Sequence, residues 1–250
     1  MSNFDRNAST RWGTSVGQAR GLEIDQGLRS YMLGVYNHMT LGLAITALVA
    51  MGTTMLAGPD MRHLTPFGQA IYFSPLHWVV MFAPLAFVFF FSFRINAMSA
   101  ATARMTFLLF AAMMGLSLST IVYAYSGQSI GRAFFITAAS FGGLSLYGYT
   151  TKRDLAPMGS FLVMGLIGLI IASVVNLFMQ SSAMQFGLSC LSVLIFAGLT
   201  AWDTQSIKEM YLASDSGEMA LKKSVNGALQ LYLDFINIFL SVLNLTGSRD

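Results

Sequence analysis

Seven long apolar runs, separated by short polar breaks, set the pattern of this chain: residues 31–56, 76–93, 102–125, 132–151, 157–179, 183–207 and 225–245. A helix needs about 20 apolar residues to cross the hydrocarbon core of a bilayer, and each run is close to that length. The breaks hold residues that end helices, such as Gly58-Pro59-Asp60, Ser126-Gly127-Gln128 and Lys152-Arg153-Asp154. Pro157 opens the fifth run, where a missing N–H leaves nothing unpaired. Short connections make successive helices antiparallel. The pattern predicts an all-α integral membrane protein: one seven-helix domain over 31–246, a polar N-terminal tail over 1–30 and a short C-terminal tail over 247–250.

Composition agrees. The chain is 55% hydrophobic and 10% charged, with a mean hydropathy of +0.62, whereas soluble domains carry about 25% charged residues. The surface therefore faces lipid. A net charge of +3 could suggest nucleic acid in a soluble protein. Here the basic residues are scattered over short loops, and orientation in the bilayer is the better explanation. Arg6, Arg11, Arg20, Arg29, Arg94, Arg104, Lys152, Arg153, Lys208, Lys222 and Lys223 fall on one side, against Arg62, Arg132 and Arg249 on the other. The rich side is expected to be the cytoplasm, with the N-terminus inside and the C-terminus outside. Residues 1–30 contain no early apolar stretch, so no cleavable signal peptide is expected. Cys190 is the single cysteine and excludes an internal disulfide. Ala138, Gly142, Gly143, Gly148, Gly165 and Gly168 are expected to let helix backbones approach closely.

Charge inside the spans narrows the chemistry. Of 11 acids only Asp203 and Asp234 sit within apolar runs. An ionised carboxylate at mid-bilayer costs roughly 2.5–3.5 kcal/mol, so each must be hydrated, paired or protonated. Both fall in the expected cytoplasmic half, about 6 Å deep for Asp203 and about 13 Å for Asp234 at helical rise; tilt could bring them level. If they touch, one proton is shared. Its loss leaves two negative charges, which separate or admit a cation: protonated pair closed, deprotonated pair open. Arg94 ends the second run at the same face and is the candidate latch. Two carboxylates are too few for a tight calcium site, which takes 6–8 oxygens, but they suit a weak, passing contact. The bland alternative is a buried polar network that only orients helices. His38, His63 and His77 lack helical partners of ligand type, so no metal centre or cofactor is expected. No nucleophile–base pair, phosphate loop or lysine in the last span points to an enzyme or a retinal protein.

The stretches Phe141-Gly142-Gly143-Leu144-Ser145-Leu146-Tyr147-Gly148-Tyr149-Thr150-Thr151-Lys152-Arg153-Asp154-Leu155, Met158-Gly159-Ser160-Phe161-Leu162, Gly198-Leu199-Thr200-Ala201-Trp202-Asp203-Thr204-Gln205 and Ala228-Leu229-Gln230-Leu231-Tyr232-Leu233-Asp234-Phe235-Ile236-Asn237 resemble the bacterial branch of the Bax inhibitor-1, or transmembrane Bax inhibitor motif, family. The resemblance spans roughly residues 30–246. It implies seven helices with the last one central and the other six around it, and a pH-sensitive calcium leak. It places the family's paired acids on Asp203 and Asp234 and its latching arginine on Arg94. Eukaryotic relatives suppress cell death, and a bacterial branch is linked to modulation of a membrane AAA protease. Two functions are therefore carried forward: a pH-gated calcium or cation leak in the bacterial inner membrane, and a non-conducting regulator that binds another membrane protein such as a quality-control protease.

Overall fold

The computed structural model of the chain describes residues 4–248, with side chains from Gln26 onward, that of Asn96 excepted. The tails expected at 1–30 and 247–250 lie partly outside this range. The described elements are helical: α1 (Phe4–Ala57), α2 (Pro66–Tyr72), α3 (Leu76–Arg94), a 3₁₀ turn (Ile95–Ala97), α4 (Ala100–Ala124), α5 (Gly127–Thr150), α6 (Ala156–Met179), α7 (Ser182–Glu209) and α8 (Gly217–Thr246). Seven of them are long and apolar enough to cross a membrane, the first over Gln26–Ala57.

Serines decide where four spans begin. Ser99, Ser126, Ser181 and Ser216 each accept the N–H three residues on, from Thr102, Ser129, Met184 and Met219, which satisfies a donor the helix itself cannot pair. As a result α5 starts five residues, and α8 eight residues, before the apolar runs at 132 and 225. The short α2 was not expected. Thr65 caps it, and Gly58, at φ 130°, makes the turn that leads into it. In that turn the Asp60 carboxyl accepts from the His63 ring and from the Arg62 and His63 backbone N–H groups, which hold it below its ordinary range.

Burial orders the bundle. Over its apolar window α8 is 61% buried, whereas α3 and α6 are only 11% and 6% buried. The direct neighbours of α8 are α1, α4, α5 and α7, while α3 leans on α4 and α6 on α7. The last helix is thus the core helix, and α3 and α6 stand outermost. Phe161, Met164, Ile167, Ile171 and Phe178 on α6 are exposed, as lipid contact demands. At the centre Tyr232 of α8 lies edge-on to Phe107 and Phe110 of α4, and its hydroxyl meets Thr46 of α1 at 2.7 Å.

One end of the bundle carries Lys152, Arg153, Lys208, Lys222 and Lys223 and is closed by contacts between loops. Lys208 donates to the Tyr149 carbonyl at 2.9 Å and lies over the Tyr149 ring. Lys223 donates to Met210 O at 2.9 Å and pairs with Asp215 at 2.7 Å. At the opposite end Tyr125 donates to Asn244, and Ser129 meets Ser248.

A candidate site between α7 and α8

Two bonds set the register of α8 against α7. Lys223 reaches Met210 O near the basic end, and Ser241 donates to Ser192 at 2.7 Å near the other. Between them, Gly227 lies so close to Ile207 that an added Cβ would sit 2.9 Å from its methyl. This register brings Asp203 and Asp234 within one turn of each other in height. Register, and not distance from the helix ends, decides this: Asp234 lies 17 residues into α8 counted from Gly217. Asp203 lies six residues before the end of α7 at Glu209, about 9 Å along the axis.

The two carboxyls are near enough to act on each other. Asp234 is 4% exposed, and no N–H or hydroxyl donor reaches its Oδ2. Two carboxyls can bond to each other only when one of them carries a proton. Two bare carboxylates would repel at that distance with few groups to compensate.

Neutral polar residues beside Asp203 are tied to other helices. Thr204, next to Asp203, is bonded to Ser145 of α5 at 3.0 Å, and Ser145 to Tyr36 of α1 at 2.5 Å. Gln205 accepts the Leu155 N–H and donates to Arg153 O, both at 2.8 Å, which ties α7 to the α5–α6 turn. Trp202 fits against Gly159 of α6, where a Cβ would fall 2.3 Å from the indole. None of these partners was identified from the sequence.

Arg94 does not join the acids. It is exposed at the end of α3, and among the described residues the ion pairs are His63–Asp60 and Lys223–Asp215. The reason is placement: α3 packs chiefly on α4, outside the helices that hold the pair. No third acid, histidine or cysteine gathers with Asp203 and Asp234 among the described residues. Two carboxyls offer at most four oxygens, fewer than a resident calcium takes.

A polar stripe on α8 also escaped the sequence reading. Gln230, Asp234, Asn237, Ser241 and Asn244 recur at spacings of four and three, which puts them on one face. On α7, Gln185, Ser189 and Ser192 repeat the same spacing toward Asp203. The signal was present in the sequence, but only the charged members stand out against an apolar background.

Residues 28–250 match the family described as Inhibitor of apoptosis-promoting Bax1. The protein belongs to the Bax inhibitor-1 family. The E. coli K12 inner membrane protein YbhL is 43% identical over 225 residues, 89% of this chain and 93% of that one. A Rickettsia prowazekii protein, RP147, is 46% identical over 228 residues, 90% and 92% of the two chains. A Caulobacter vibrioides protein is 42% identical over 253 residues, 100% and 99% of the two. In this member of the Bax inhibitor-1 family the four resembling stretches come together around α7. The segments 198–205 and 228–237 hold the two acids, and 141–155 and 158–162 pack against α7.

Proposed function

We propose that the protein is a passive, pH-gated leak for calcium or another cation in the bacterial inner membrane, with Asp203 and Asp234 as proton sensor and ion contact. One observation carries this reading: two carboxyls from the last two spans lie close enough to act on each other inside the bundle, and among the described residues neither has an ion-pair partner. The shared proton holds α7 and α8 together. When it leaves, repulsion opens the contact, and two negative groups are left for a cation to bridge. Two carboxyls bind weakly enough to release the ion again, which conduction requires. The inner-membrane location is supported by the name of the E. coli relative. A cytoplasmic N-terminus and a periplasmic C-terminus are supported by the lysines and arginines gathered at one end.

The sign of the pH response follows from the proton. Acid favours the bonded pair and the closed form, and alkali favours the open one. A one-proton switch changes the closed-to-open ratio about tenfold per pH unit. The test is calcium flux into dye-loaded proteoliposomes across a pH series. Wild-type flux should rise with pH. In Asp203→Asn or Asp234→Asn the amide donates to the remaining carboxylate without a titrating proton, so flux should stay low and the profile should flatten. Wild-type flux and profile in both variants would overturn the mechanism.

A further inference from the structure

A cleft of about 700 Å³ opens between α6, α7 and α8 on the side away from the basic end. Its polar lining includes Asn176, Gln185, Ser189, Ser192, Asn237 and Ser241, and none of its lining residues is charged. Ser192, Ser241, Asn237 and Asn176 already have partners within the protein, but an amide has more donors and acceptors than these bonds use, and each one left unmet in hydrocarbon is penalised. A space of this size with such a lining has room for water to serve those groups. Asn237 also lines the cleft, three residues from Asp234 and so about 4.5 Å along the same helix.

Phe196 also lines the cleft. On α7 the residues Ser192, Phe196, Leu199 and Asp203 follow at spacings of four, three and four, which places them along one face. The polar track of α7 is therefore interrupted by two apolar side chains between the cleft and the acids. Phe196 is 8% and Leu199 4% exposed, and both belong to the cluster that includes Ile238, Val242 and Leu243 of α8. Apolar constrictions close ion paths by expelling water.

We infer that this cleft is a water-filled outer half-channel carrying a hydrated cation to Asp234, and that Phe196 is the hydrophobic gate between them. The inference rests on the leak proposed above and adds its outer entry and its barrier. The amide and hydroxyl oxygens replace part of the cation's water shell without holding it, since none carries charge. The gate yields when α7 and α8 part at the acid pair, about two turns further along α7.

The test uses the full chain in proteoliposomes, in a Cys190→Ala background. A cationic, membrane-impermeant methanethiosulfonate is applied on both sides. It reacts with thiolate, which forms in water and not in lipid. Ser192→Cys should react and its flux should fall, whereas Ile171→Cys, on the exposed face of α6, should not react. Phe196→Ala should raise the leak at least tenfold at the pH where the wild type leaks least. Asn237→Leu, which changes the same lining without opening the gate, should lower flux at the pH where the wild type leaks most. An unreactive Ser192→Cys overturns the half-channel. A reactive Ser192→Cys with wild-type flux in both Phe196→Ala and Asn237→Leu overturns the gate and the route while leaving the leak standing. Absence of flux in every protein, wild type included, overturns route and leak together, with thiol reactivity then reporting only a wet cleft.

Discussion

Gln205 shows how much one buried amide can organise. Its carbonyl oxygen takes the Leu155 N–H and its NH₂ serves Arg153 O, so the turn between α5 and α6 is satisfied from α7. Leu155 is itself buried. Gln205→Leu leaves that N–H without an acceptor, at a cost of about 1–3 kcal/mol, and thermal unfolding in detergent should report the loss. Gln205→Glu keeps the acceptor and gives up the donor, so it should recover part of the stability. The central Tyr232 behaves differently. Thr46 also donates to Gly42 O and Ala111 O, so Tyr232→Phe should cost only about 0.5–1.5 kcal/mol, read in the same assay. At this scale the sequence marked the charged residues well. Asp203 and Asp234 stood out because charge in an apolar run is rare, whereas Gln205, Thr204 and Asn237 are neutral and compatible with many partners.

Between elements, close approach is concentrated at a few glycines. A Cβ on Gly148 of α5 would lie 2.1 Å from the Ala201 carbonyl of α7, and one on Gly115 of α4 would lie 2.5 Å from the Thr46 carbonyl of α1. Backbone cannot yield as a flexible side chain can. Gly148→Val should therefore force α5 from α7 and destabilise the bundle by about 1–3 kcal/mol or more. Gly142 and Gly143, one and a half turns earlier, face open space, so Gly142→Val should stay within about 0.5 kcal/mol of wild type. Denaturation of the two variants side by side checks the contrast. All of these glycines looked alike as small residues in a span. Only the facing of α5 toward α7 separates them. The helix starts were misplaced for a related reason: residues 127–131 and 217–224 are polar enough to pass for loop, yet Ser126 and Ser216 cap helices there.

For the molecule as a whole, the alternation of helices places the α3–α4, α5–α6 and α7–α8 connections at one end, where Lys208, Lys223 and Glu218 bond across loops. A reporter active only in the cytoplasm should work when inserted in the α7–α8 connection near Ala213 and fail between Gln180 and Ser182; the reverse pattern would invert the proposed orientation. Seven spans and their antiparallel order were determined by the sequence itself, because a bilayer admits only helices whose apolar length matches its thickness. The family was legible too, through motifs that recur in order. Tertiary structure decided the rest. Which helix is core and which are outermost depends on how faces pair, and hydropathy cannot see this, since α6 is the most apolar window and the least buried. That Asp203 meets Asp234 while Arg94 stands apart follows from helix register and neighbour choice. Those are set by bonds between residues far apart in the chain, such as Ser192 with Ser241, and no local pattern encodes them.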